Sequence, residues 1–204
     1  MKIFNIKKEM IFNDKCMNLK DTDLKDANLR DADLRYFNLK YINLRNADLK
    51  YADLRDADLR HANLRYANLR YADLRNADFR DADLRNADLR NTNSNNINLK
   101  NTDLIGVDLR HADLRHADLR YADLKNADLR NANLIYANLR YANLDFSCFP
   151  LWCGGTNIKV DMRLIYQLIA HINSLKCDSN EFIAFKEREN HLAKKSHRYQ
   201  EISQ

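Results

Sequence analysis

The chain has 204 residues, with 34 Lys and Arg against 29 Asp and Glu for a net charge of +5, and only 3 Gly and 1 Pro. That length fits one or two domains, and so little Gly and Pro excludes collagen-like and flexible low-complexity chains. No stretch approaches the 18 apolar residues of a transmembrane helix, and the four cysteines, Cys16, Cys148, Cys153 and Cys177, are too sparse for a disulfide scaffold.

Residues 1–15 come first. Their opening apolar run is too short for a secretory signal, so a cytoplasmic location is expected, with no membrane partner. Ile3, Phe4, Ile6, Met10, Ile11 and Phe12 are apolar enough to form an N-terminal lid over the segment that follows.

From Cys16 to Pro150 the chain reads as 27 consecutive five-residue units, mostly X-Ala-Asp/Asn-Leu-Arg. The central apolar residue recurs without a break in phase at Leu19, Leu24, Leu29, Leu34, Leu39, Leu44, Leu49, Leu54, Leu59, Leu64, Leu69, Leu74, Phe79, Leu84 and Leu89. Ser94 interrupts it. The series resumes at Leu99, Leu104, Leu109, Leu114, Leu119, Leu124, Leu129, Leu134, Leu139 and Leu144 and ends at Phe149.

A period of five scatters leucines around an α-helix, which turns every 3.6 residues. In an unbroken strand five is odd, so successive leucines would fall on opposite faces. The chain must therefore turn a corner once per unit, at the Arg-X pair. Short extended pieces with regular corners make a coil, and stacked coils make a β-solenoid. Ala, Leu, Arg and Lys favour helix, and Asp and Asn are poor in strands. Phase outweighs those preferences, because a stacked leucine ladder depends on register.

Ala47-Asp48-Leu49-Lys50-Tyr51 and its neighbours resemble the pentapeptide-repeat family. The resemblance implies an all-β fold, a right-handed quadrilateral β-helix with four units per coil. The central Leu or Phe and the residue two before it then point inward, and residue n stacks on n+20. Met17, Thr22, Phe37, Ile42, Thr92, Ile97, Thr102, Val107 and Ser147 replace the usual inward Ala. Ser94 falls between Leu74 and Leu114 and predicts local repacking or, as the alternative, a functional irregularity.

On the outside a basic residue follows the leucine of most units. Within 16–150 there are 22 Lys and Arg against 21 Asp and Glu, a net of +1. The expected surface is a solvated, salt-bridged one whose pairs are individually weak. Lys and Arg columns with Tyr36, Tyr41, Tyr51, Tyr66, Tyr71, Tyr121, Tyr136 and Tyr141 also raise nucleic-acid binding. The near-zero summed charge argues against it. The family further includes DNA mimics that bind type II topoisomerases. Those imply an acidic surface, from which this chain departs.

After Leu144 the repeats run out through Pro150 and Gly154-Gly155. Residues 156–160 are expected to add a last strand. Residues 162–175 carry apolar positions at helical spacing, with Asp161 as N-cap, and a second helix is expected near Asp178. Residues 151–204 are read as a helical C-terminal cap, and the spread of apolar positions suggests a homodimer through it. Cys148, Cys153, Cys177 and His171 fall at the edge of zinc spacings without a second close ligand pair, so buried free thiols are expected. His61, His111 and His116 stand at corners, where a solvated position is expected. No Gly-rich phosphate loop or nucleophile elbow appears. The sequence is thus read as a non-enzymatic scaffold without cofactor that binds an unidentified macromolecule, a protein ahead of a nucleic acid, with the topoisomerase-binding DNA mimic as the alternative.

Overall fold

The structure is a computed structural model that describes residues 3–4, 10–12, 17–148 and 159. All of them belong to the first of the two units into which the chain divides, Met1–Lys159 and Val160–Gln204. The expected helices of 151–204, and Phe149, lie outside the described residues. At the N-terminus β1 (Ile3–Phe4) pairs antiparallel with β2 (Met10–Phe12), Ile3 opposite Phe12 and Phe4 opposite Met10.

Residues 17–148 form a parallel β-solenoid. Each outward Asp or Asn bridges the residue 20 positions on, from Asn18 with Asn38 to Asp123 with Asn143. Twenty residues are four units, so each coil has four sides. Every side is a single bridge position between two corners, which is why no long strand forms.

The backbone of one unit shows why this sequence builds this coil. Ala47 N–H donates to Leu44 carbonyl across the corner at 3.0 Å; Asp48 N–H donates to Ala27 in the preceding coil at 2.9 Å. Leu49 and Tyr51 N–H donate to Asn68 and Arg70 in the next coil, at 2.8 and 3.0 Å. Lys50 alone has no ladder acceptor, and its N–H goes to Asp48 Oδ1 at 3.1 Å. All five donors are satisfied, as buried backbone requires. Asp and Asn are poor strand residues in general, but their short side-chain oxygen supplies the fifth bond.

The core is a dry column. Leu29 and the central leucines that follow it are essentially inaccessible, as are Phe79 and the alanines from Ala47 onward. Each such leucine contributes about 1.5–3 kcal/mol by burial, opposed by the cost of ordering the chain. The first coil departs from the expected pattern. Leu24, Thr22 and Ala27 are half-buried, and Met17 is exposed. Among the described residues that coil is stacked on one side only, so its inward positions lack the second layer.

Ser94 is fully buried. Its hydroxyl donates to Thr92 Oγ1, and Thr92 Oγ1 donates to the Leu89 carbonyl, both at 2.9 Å. Ser94 and Thr92 thus form a small polar relay inside the leucine column, while Asn93 Oδ1 of the same unit is buried without a hydrogen-bond partner. At the far end the coil does not stop at Cys148. Lys159 bridges Asn138 and exchanges hydrogen bonds with Leu139 and Ala137. That spacing is 21, one residue out of phase with the repeat, and within 156–160 it is the described part of the expected last strand.

Candidate interaction surface

Three positions of each unit face outward, and each has its own geometry. The X position after the basic residue is the sharpest constraint. Every fifth residue from Asp21 to Phe146 has φ near +60°, including Gly106 at +67°. With the hydrogen bond from Ala N–H to the preceding Leu carbonyl, each corner is a type II turn whose third residue needs positive φ. In an L-residue that region costs about 1–2 kcal/mol, least for Asn, Asp and His. The occupants are Asp, Asn, His, Gly, Tyr and one Phe. Asp, Asn, His and Gly carried a readable signal for the left-handed conformation, and the tyrosines obscured it.

The outward Asp or Asn and the basic residue two places later form the second feature. Where the first is Asp and the second Arg, they make a two-bond fork. Arg75 donates through Nε to Asp73 Oδ1 at 2.9 Å and through Nη2 to Asp73 Oδ2 at 2.6 Å. The same fork joins Asp33 to Arg35, Asp53 to Arg55, Asp113 to Arg115 and Asp128 to Arg130. Several arginines also reach the carboxylate of the next coil, as Arg90 does to Asp108 at 3.3 Å. Hydrogen bonds from Arg55 and Arg115 hold the Asp53 and Asp113 carboxyls below their ordinary 3.8. Asp103 goes the other way. Burial raises it, and Ile105 stands where its arginine would.

Asn in place of Asp removes the fork. Arg65 follows Asn63 and Arg70 follows Asn68, and the Nε atoms of both are buried without a hydrogen-bond partner, Arg70 Nε lying 4.0 Å from Asp88 Oδ2 in the next coil. Asp-Leu-Arg units are therefore self-neutralised, whereas the cation of an Asn-Leu-Arg or Asn-Leu-Lys unit has no carboxylate two places before it and must find one elsewhere, as Arg30 does with Asp48 at 3.3 Å and Lys40 with Asp58 at 3.2 Å, both in the next coil.

Summed by face, this code distributes charge unevenly. Each face takes its name from its outward residue in the coil starting at Phe37. The Asn38 face carries seven cations, Lys20, Lys40, Arg60, Arg80, Lys100, Arg120 and Arg140, against the carboxylates of Asp58, Asp78 and Asp118, a difference of four. The opposite Asp48 face has six cations (Arg30, Lys50, Arg70, Arg90, Arg110 and Arg130) against four carboxylates (Asp48, Asp88, Asp108 and Asp128), a difference of two. The Asn43 and Asp53 faces balance. Corner aspartates Asp21, Asp26, Asp31, Asp56 and Asp81 offset most of the excess, and they cluster in the N-terminal half.

Aromatic corners stack from coil to coil. Tyr41 lies on His61 at 4.8 Å between centroids, Tyr51 on Tyr71 at 5.2 Å, His116 on Tyr136 at 5.0 Å and Tyr121 on Tyr141 at 4.8 Å. His61 and His116 are thus ring-stacked, beyond the solvated corner expected for them. Lys20 stands over Tyr41 and Lys50 over Tyr51. Asn corners bond in the same direction, as Asn96 Nδ2 does to Asn76 Oδ1 at 3.0 Å. The tyrosines remain half exposed, Tyr36 most of all at 63%. A shallow recess of about 430 Å³ on the Asn38 face is lined by Lys20, Asn38, Lys40, Tyr41, Arg60 and His61.

Cys148 corrects an expectation. It is exposed, because it holds an outward position opposite Asp128 in the ladder; frequency of burial for free thiols does not override register. Cys16, Cys153, Cys177 and His171 lie outside the described residues. Among the described residues no three His, Cys, Asp or Glu side chains converge as metal ligands.

The family described as pentapeptide repeats matches the chain in 8 copies across residues 27–65, 42–81, 57–93, 77–120 and 112–149. No curated protein matches it. Among solved structures, HetL, a pentapeptide repeat protein involved in heterocyst differentiation regulation from the cyanobacterium Nostoc, is 34% identical over 66% of this chain and 68% of its own, with a TM-score of 0.29. A trypsin-treated form of QnrB1, a plasmid-mediated fluoroquinolone resistance protein, is 17% identical over 78% and 90%, with a TM-score of 0.42. A pentapeptide repeat protein of the Arabidopsis thaliana thylakoid lumen is 26% identical over 52% and 68%, with a TM-score of 0.27.

Proposed function

The chain belongs to the pentapeptide-repeat family, and from that premise we propose that it acts as a rigid, non-enzymatic scaffold that binds a macromolecule on its outer faces. The observation that carries this reading is the fixed register of the outward columns. Side chains 20 residues apart are held one strand spacing apart, about 4.8 Å, by a ladder in which the outward residue, the central Leu and the corner residue of the inner coils donate to the coils on either side, as Asp48, Leu49 and Tyr51 do. A ligand bound along such a face meets pre-ordered groups, which lowers the ordering cost of association. The right-handed coil that the family implies and the helical cap read from the apolar spacing at 162–175 complete the architecture proposed, and the spread of those apolar positions adds a homodimer to it.

The test is affinity capture from the native host with the full chain and with variants that change one face at a time. Each variant is checked for an unchanged melting temperature. Partners retained by the wild type and lost with one face alone support the reading. Retention that is insensitive to every face, or no retained macromolecule, ends it.

A further inference from the structure

We propose that the Asn38 face is a track for single-stranded nucleic acid, its firmest grip lying in the last three rungs, from Asn98 to Arg140. This rests on the scaffold reading and names its partner class. The summed charge of the solenoid argues against nucleic acid, but a ligand meets one face and not the sum. This face carries an unbroken basic column from Lys20 to Arg140, about 30 Å long at the strand spacing.

Its C-terminal rungs lack the compensating acids found elsewhere. Asp118 is their one carboxylate, and it is already forked by Arg120. Lys100 and Arg140 follow Asn98 and Asn138, so neither has a carboxylate in its own unit. The corners along both edges are Asn96, His116 and Tyr136 on one side and Asn101, Tyr121 and Tyr141 on the other, with no acid among them. Both edges hold a stacked aromatic pair. Toward the N-terminus each pair ends on an asparagine, leaving one ring face of His116 and one of Tyr121 next to a small polar residue. Cations that engage phosphates, flanked by aromatic faces that accept bases, are the recognition chemistry of single strands. At the other end of the column the recess beside Tyr41 and His61 repeats the pairing of cations with rings, but its Lys20 is paired with Asp21 and its Lys40 and Arg60 with Asp58, so the firmer grip falls to the C-terminal rungs. A duplex hides its base faces and would use only the cations.

The experiment is fluorescence anisotropy with the full chain and a labelled oligothymidylate of about 15 nucleotides, titrated across salt. Affinity is expected to fall with salt, with a log–log slope of about −0.7 per phosphate engaged. Lys100→Gln with Arg140→Gln should shallow that slope by about 1.4. Tyr121→Ala should weaken binding about fivefold or more without changing the slope. Arg30→Gln with Arg70→Gln makes the same charge change on the opposite face, also after asparagines, and should alter affinity by less than about twofold. Circular dichroism checks that each variant is folded. Absence of binding by the wild type, equal losses for the two charge pairs, equal affinity for a blunt duplex, or equal affinity for polyglutamate would each overturn the track. A protein captured through another face, with no oligonucleotide bound, would overturn the track alone and leave the scaffold standing.

Discussion

Ser94 Oγ donates to Thr92 Oγ1 at 2.9 Å inside the leucine column, and the relation is directional. Thr92 O–H donates in turn to the Leu89 carbonyl, so it is satisfied without Ser94, whereas Ser94 depends on Thr92. A buried hydroxyl deprived of its partner costs about 1–3 kcal/mol, more than removing a hydroxyl outright. Thr92→Val should therefore destabilise the protein by about 1–3 kcal/mol, and Ser94→Ala by less. The double variant should be more stable than Thr92→Val alone. Chemical denaturation of the three variants checks this, and additive losses would show that the two hydroxyls are independent.

Asp103 and Asp113 should respond to neutralisation in opposite directions. Arg115 holds Asp113 below its ordinary 3.8. Its contribution is present above that value and lost as pH falls through the lowered one. Burial raises Asp103 above 3.8. Its protonated form favours the fold, fully so below 3.8, and that gain is lost as pH rises through the raised value. At pH 7, Asp113→Asn should lower the melting temperature and Asp103→Asn should raise or preserve it. The Asn oxygen keeps the bond from Ile105 N–H. Near pH 3 both differences should shrink. Equal signs at pH 7 would contradict the assignment.

The unequal legibility of this chain follows from which constraints act on phase. Burial acts on register, so the inward column of Leu29 or Leu84 could be read from the period alone. That the units turn a corner followed from five being odd. That four of them close a coil did not, and came from family resemblance; the bridge of Asn28 with Asp48 shows it directly. The fork of Asp73 with Arg75 escaped because residues two apart on a strand share a face only if the strand continues, and here a turn begins between them. The left-handed corners were visible at Asn76 and Asp81 but disguised at Tyr51 and Tyr71, where stacking and a ladder bond offset an unfavourable φ. Cys148 was misplaced because a residue-type tendency was preferred to its position in the unit.

Gly106 occupies a corner that other coils fill with Asp26, Asn46, Tyr66, Asn86, Asn126 and Phe146. A Cβ there would lie 2.6 Å from Asn86 Oδ1, and φ is +67°. The Asn86 side chain can move, so the lasting cost of Gly106→Ala is the left-handed backbone, about 1 kcal/mol. Gly106→Asn should cost less, since Asn tolerates that region and Asn126 one coil on adopts φ +58°. Thermal melts of the two variants measure the difference. A more stable Gly106→Ala would show that the glycine serves neither turn nor clearance.

The last prediction concerns type II topoisomerases. A protein that mimics DNA must present negative charge along a continuous face, where DNA presents phosphates. No face of this solenoid does so. The two charged columns of each face sum to zero or to a positive value, and Asp53, Asp73, Asp78, Asp108 and Asp128 are each forked by the arginine of their own unit. The corner aspartates are interrupted by Tyr, His and Asn. Beyond a Debye length of about 8 Å at physiological salt little attraction toward a basic DNA groove survives, and steered association is lost with it. The purified protein should therefore leave gyrase supercoiling of closed duplex plasmid unchanged and should not relieve quinolone poisoning. Inhibition that weakens as salt is added would overturn this, and would mean that the local geometry of the Asp and Asn ladders is recognised in spite of the arginines that clasp them.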